Sequence, residues 1–347
     1  MAADQALPVS EAWVLEFGEI GLGDLARVGG KNASLGEMFA ELRPRGVNVL
    51  DGFATTAAAY RRLLAERELG SRLRALFDGF DAENLDQLAR RGAAARAAVL
   101  ETPLPAEIRE AIVAGYDRLS ARLGREPEVA VRSSATAEDL PEASFAGAAE
   151  TYLNVRGREA LLRAVHACCA SLFTDRAISY RARLGFDHLK VALSVGVMPM
   201  VRSDKAASGV MFTLDPESGF RDAVVITGSY GLGEFVVQGV VTPDEWTVFK
   251  PTLARGCRAI VGRRTGTKEV RLVYADGSRG TRSEPTPAEE RRRLCLADNE
   301  VLTLARWGCE IEEHYSRRAG RPQPMDVEWA KDGVTGDLVI LQARPET

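Results

Sequence analysis

The chain has 347 residues, more than the ~250–300 at which one hydrophobic core usually gives way to two, and its 46% hydrophobic and 27% charged content is that of an ordinary globular protein. Its 45 basic and 49 acidic residues leave a net charge of -4, which gives no reason to expect nucleic acid or an anionic membrane as partner. No apolar run approaches the ~20 residues of a bilayer span, and Met1 to Pro8 lack the basic head and apolar core of a signal peptide.

A short strand is expected near Ala12 to Phe17. Next, Val28-Gly29-Gly30-Lys31-Asn32-Ala33-Ser34 joins paired glycines to a helix start. Glycine lets the backbone approach an anion and adopt a positive φ. A helix N-terminus offers free N–H groups and a positive dipole end, and Lys31 adds a point charge for a phosphate. The spacing is not that of the Gly-x-x-x-x-Gly-Lys-Ser/Thr loop, and a Gly-Gly turn before a helix is common, so the signal is weak alone. Leu35, Met38, Phe39 and Leu42 share one helix face. Further helices are expected over Thr56 to Arg67, capped by Thr55 or Thr56, around Arg90 to Val99, and from Pro105 to Leu123, ended by Gly124.

Val129-Ala130-Val131 reads as a short strand that delivers Arg132 and the hydroxyls of Ser133, Ser134 and Thr136. An arginine leaving an apolar strand needs an anion or water. Glu138 or Asp139 could serve, or a transferable phosphate. Ser144 to Val155 is a loop containing Gly147 that runs through Thr151 into another strand, and Glu159 to Leu184 is expected to form a single helix stopped by Gly185.

From Lys190 to Lys250 the texture changes to β-branched and apolar runs cut by Gly, Pro and Asp turns, which predicts a mainly antiparallel sheet. Gly228-Ser229-Tyr230-Gly231-Leu232-Gly233-Glu234 differs from Gly-x-Gly-x-x-Gly and has no βαβ unit around it, so it reads as a turn or a helix start. Ala288 to Ser316 is expected to be one long amphipathic helix. The chain closes with a hairpin in which Asp326 and Glu328 share one face of the first strand, and Gln342 and Arg344 one face of the second. Carboxylate and amide oxygens suit Mg²⁺, and the arginine fork suits a phosphate. For an isolated hairpin a solvated polar face is the simpler reading; the two upstream phosphate-type signals tip the balance to the metal end of a nucleotide site.

The five cysteines follow neither metal spacing nor a disulfide framework and read as reduced thiols of a cytoplasmic protein, and His166, His188 and His314 read as helix-surface or core residues. The elements together predict an α+β chain with two lobes, residues 1–195 and 196–347, and a nucleotide cleft between them.

The blocks named so far, with Asp51-Gly52-Phe53-Ala54-Thr55-Thr56, Ser171-Leu172-Phe173-Thr174-Asp175-Arg176-Ala177 and Ala207-Ser208-Gly209-Val210-Met211-Phe212-Thr213, occur in an order that resembles the nucleotide-binding domain of the phosphoenolpyruvate synthase (pyruvate, water dikinase) family. The resemblance implies an ATP-grasp-like fold and a phosphotransferase that cleaves ATP. A histidine on a swivelling domain then takes up the β-phosphoryl group, and a pyruvate-binding domain receives it. It implies that Lys31 and Arg132 bind ATP phosphates, that Gly147 and Thr151 belong to a loop over the nucleotide, and that Met198 lies at the adenine hinge. Glu328 and Gln342 would hold Mg²⁺, Arg344 would meet the terminal phosphate, and Arg132 and Arg344 would be the catalytic pair.

Three departures stand out: Ala148-Ala149 where Gln-Gln is usual, Met198-Pro199-Met200 where Gln-Lys-Met is usual, and Leu50 in place of a common proline. The Gly-Gly-x-Thr-Cys-His-type segment of the swivelling domain does not occur, so the phosphohistidine and pyruvate-binding domains are expected in cis or in trans from outside these residues. The other readings are a non-catalytic nucleotide-binding module and the ATP-binding part of a rifampin-type phosphotransferase.

Overall fold

The computed structural model describes residues 12–136, 139–140, 143–144, 150–275 and 280–346. The fold is α+β and divides into two compact units. The first comprises Met1–Ala33 and Gly52–Met198, the second Ser34–Asp51 and Pro199–Thr347. Where the sequence reading draws one boundary near residue 195, the chain passes from unit to unit after Ala33, after Asp51 and after Met198.

The first unit carries strands β1 (Val14–Glu16), β2 (Phe53–Thr55), β3 (Val129–Ala135), the short β4 (Asp139–Leu140) and β5 (Ala143–Ser144), β6 (Thr151–Val155) and β7 (Leu193–Pro199). Five of them form a sheet in the order β1-β2-β7-β3-β6. Phe53, Ile112, Tyr116, Val131, Leu161, Phe173 and Val197 are buried in one continuous core. Two helix ends carry the signals read from the sequence. Thr56 caps Ala57–Ala65 by accepting from the Ala59 amide, and Gly124, at φ 66°, closes Ala106–Leu123 in the left-handed conformation that glycine tolerates.

The single helix expected over Glu159 to Leu184 is instead two, Arg158–Ser171 and Asp175–Arg183. Thr174 accepts a hydrogen bond from the Ala177 amide at 3.3 Å and starts the second helix. The break turns Phe173 into the core, where its ring stacks on Phe77 at 5.9 Å. Arg181 is fully buried and returns to the break, donating to the Leu172 carbonyl.

The second unit is built on a six-stranded sheet of β8 (Ala207–Phe212), β9 (Ala223–Tyr230), β10 (Asp244–Phe249), β11 (Ile260–Arg264), β14 (Met325–Lys331) and β15 (Leu338–Pro345), in the order β11-β10-β9-β8-β14-β15. Every pairing in it is antiparallel. Between β11 and β14 in the chain, β12 (Val270–Tyr274) and β13 (Thr281–Pro285) make a separate ribbon. β9 runs on to Tyr230; Gly231 then turns at φ 92° and the short helix Glu234–Val237 follows, so the glycine-rich segment is strand end, turn and helix start. The helix expected from Ala288 to Ser316 is also divided, into Ala288–Arg291 and Asp298–Ala319. The Glu300 carboxylate accepts from the Ala297 amide at 2.8 Å and sets the start of the longer one.

Asp244, in the Pro243-Asp244-Glu245 block, is fully buried and ion-paired to the equally buried Lys268. It also accepts from the amides of Gly266 at 2.9 Å and Cys295 at 2.8 Å, so one carboxylate ties two loops to the head of β10. A charge buried this deeply is tolerable only with such a set of partners.

Candidate nucleotide site

In the first unit the two upstream phosphate-type motifs meet. The helical stretch Leu25–Glu37 is interrupted at Gly29, whose φ of 72° and ψ of 165° are not helical. A Cβ there would lie 2.3 Å from Ser134 Oγ and 2.6 Å from the Ser134 carbonyl oxygen, so only glycine fits. The turn before Lys31 therefore rests against the strand that carries Arg132. Arg132 is half-buried on β3 and its backbone pairs with Thr151 on β6, which brings those two predicted residues side by side. Met198 is buried in β7. Gly147 lies outside the described residues, as do Ala148, Ala149, Glu138 and the side chain of Asp139.

The residue after Lys31 escaped the sequence reading. Asn32 is buried and donates through Nδ2 to Ser194 Oγ at 2.8 Å and to the Val28 carbonyl at 3.2 Å. Ser194 Oγ in turn donates to the Thr55 carbonyl at 2.5 Å. Ser134 also went unremarked as more than a hydroxyl: its side chain is fully buried, with no hydrogen-bond partner among the described residues. The available signal was an asparagine on the helix face of Val28 and Leu35, where burial is costly unless the amide is bonded.

In the second unit β14 and β15 pair in the register that places Asp326 opposite Arg344 and Glu328 opposite Gln342. A bulge follows between Glu328 and Trp329, and it re-aims the strand just beyond these pairs. Ser34 Oγ donates to the Ala343 carbonyl at 2.6 Å and holds β15 midway between Gln342 and Arg344. Arg344 donates to Asp326 Oδ2 through Nε at 2.8 Å. Asp326 is buried, and burial pushes its carboxyl above the usual range while Arg344 pulls it down and Glu328 adds to the rise. Glu328 is half-buried, and its carboxylate has no hydrogen bond or ion pair among the described residues.

Among the described residues no three His, Cys, Asp or Glu side chains cluster as a metal site. On the paired strands Glu328 faces the amide of Gln342, which is the hard-oxygen set that suits Mg²⁺ when substrate oxygens complete the shell. The histidines are all occupied elsewhere. His166 bonds the Val99 carbonyl, His188 meets Arg181, and His314 pairs with the buried Glu37 at 2.7 Å.

Residues 25–347 match the family model described as pyruvate phosphate dikinase, AMP/ATP-binding domain. The chain belongs to this family. Among curated relatives of this AMP/ATP-binding domain, it is 54% identical to a phosphoenolpyruvate synthase of Synechocystis sp. over 97% of the chain and 42% of that protein. The figures are 51%, 97% and 42% for the enzyme of Escherichia coli, and 51%, 97% and 40% for that of Aquifex aeolicus. The chain thus spans about two fifths of the length of these relatives. Among the described residues no helix is long and apolar enough to cross a membrane.

Proposed function

We propose that this AMP/ATP-binding domain is the ATP-binding part of a phosphoenolpyruvate synthase-type dikinase, working in the cytoplasm with an ATP-grasp-like fold. The whole reaction would convert ATP, pyruvate and water to AMP, phosphoenolpyruvate and phosphate, with a phosphohistidine swivelling domain and a pyruvate-binding domain as partners. The observation that carries the reading is the register of the closing hairpin, which sets Glu328 opposite Gln342 and Asp326 opposite Arg344 on a sheet of a domain whose family binds AMP or ATP.

In this reading Lys31 and Arg132 bind ATP phosphates, Gly147 and Thr151 belong to the loop over the nucleotide, and Met198 lies at the adenine hinge. Glu328 and Gln342 hold Mg²⁺, which draws charge from the phosphate oxygens when bound. Arg344 presents its fork to the terminal phosphate, held in place by Asp326. None of the histidines has the open setting that a phosphoryl acceptor needs, so the acceptor comes from a partner domain.

Titration calorimetry with ATP, with and without Mg²⁺, is the direct test. Binding that requires Mg²⁺ and is lost in Glu328→Ala supports the reading. Absence of binding at millimolar ATP, or binding indifferent to Glu328, overturns it.

A further inference from the structure

We infer that Asn32 is a positioning residue for Lys31, acting as a pin that fixes the Gly29-Gly30-Lys31 turn against the central sheet of the first unit. The inference rests on the ATP-binding reading above.

Two contacts described above join the turn to the sheet. On one side Gly29 lies against Ser134 of β3, the strand of Arg132. This contact is steric, and the buried Ser134 hydroxyl, with no partner among the described residues, adds no directional bond there. Direction comes from the other side. Asn32 Nδ2 divides its two hydrogens between the Val28 carbonyl, inside its own turn, and Ser194 Oγ on β7. Ser194 passes the link to the Thr55 carbonyl of β2, and Thr55 Oγ1 accepts from the Val195 amide at 2.9 Å. The helix start is thereby tied to two neighbouring strands by a chain of buried, bonded groups.

Room for the amide is provided at Gly196, where a Cβ would lie 2.3 Å from Asn32 Oδ1. A long lysine side chain reaches a phosphate only as well as its Cα is placed, and Asn32 is the chain neighbour of Lys31. Fixing the base of a long side chain lowers the cost of ordering it on a ligand.

The test measures MgATP affinity and the melting temperature of the ATP-free protein for wild type, Asn32→Ala, Ser194→Ala, Gly196→Ala, Lys31→Met and the double variant Lys31→Met/Asn32→Ala. Asn32→Ala should weaken MgATP by about tenfold through misplacement of the lysine. Gly196→Ala, which keeps Asn32 but displaces its amide, should reproduce that loss, and Ser194→Ala part of it. The deciding comparison is the double variant. If Asn32 acts through Lys31, it binds no more weakly than Lys31→Met alone, a coupling that a scaffold residue would not show.

Affinity retained in Asn32→Ala and Ser194→Ala beside a lowered melting temperature would overturn the inference, as would additive losses in the double variant. Should Asn32→Ala fail to fold, unchanged affinity in Ser194→Ala and Gly196→Ala overturns it on its own. A wild-type chain that binds no MgATP defeats the nucleotide reading itself and takes this inference with it.

Discussion

Asp326 holds Arg344 through Oδ2, which accepts from Nε at 2.8 Å and lies 2.7 Å from Nη2. The arginine side chain is 49% exposed and the aspartate side chain 10%. One partner is therefore sunk in the sheet and the other is held at its surface, oriented before any ligand arrives.

The titration of Asp326 should be visible in stability. Burial holds its proton more tightly in the folded chain than in the unfolded one, so its contribution favours the fold at low pH and is lost as pH rises through the raised value. Asp326→Asn keeps the shape and removes the titration. The melting temperature of wild type minus that of the variant should fall as pH rises from about 3 to about 7. A difference that grows with pH would show the pull of Arg344 to outweigh burial.

Arg344 has a structural partner and a proposed ligand, and the two separate by substitution. Arg344→Ala should lower the stability of the ATP-free protein modestly, by about 1 kcal/mol or less for so exposed a partner, and its melting temperature with it. It should also shrink the stabilisation given by saturating ATP. Arg344→Lys should restore part of the first and little of the second, because a point charge lacks the planar fork. A full ATP shift in both variants would reduce Arg344 to scaffold.

Lys31 and Arg132 should read differently from each other. Lys31→Met should weaken MgATP about tenfold or more, as loss of a charged hydrogen bond does. Arg132→Lys keeps the charge and loses the fork, so its loss should persist across salt concentrations at which charge alone is screened. Calorimetry over a salt series distinguishes the two. Arg132→Lys binding like wild type throughout would remove Arg132 from the phosphates.

His188 predicts an acid limb. Burial, then the Arg181 charge, lowers its pKa from the ordinary 6.5 to about 4. The unfolded chain takes up that proton first, so the contribution of His188 to stability is complete above 6.5 and is lost as pH falls towards about 4. His188→Gln should flatten the fall in melting temperature over that window. An unchanged slope would place the acid sensitivity elsewhere.

The closing hairpin was legible because its information is local. Strand periodicity put Asp326 with Glu328 and Gln342 with Arg344, and Lys331 to Asp337 supplied the turn. The bulge after Glu328 was not, since it depends on how β15 meets its partner. The two helix breaks had local signals that continuous apolar patterning outweighed: Thr174 before Asp175, and Glu300 three residues beyond Ala297. Asn32 and Ser194 are far apart in the chain, and periodicity carries nothing about such a pair. Gly29 announced a special backbone, yet that Ser134 is what crowds it emerges only from the folded chain.

Val49 forms an isolated parallel bridge to Ile340, and the Ile340 amide donates to the Asn48 carbonyl at 2.8 Å. This early segment covers the outer edge of β15, the last strand of the second unit's sheet. A tail beginning at Pro199 would keep all six strands and lose that cover, leaving unpaired amides as a template for aggregation. The second unit is therefore not a heritable module of contiguous gene sequence. A fragment meant to carry the second unit alone would have to bring residues 34–51 with it to keep that edge covered.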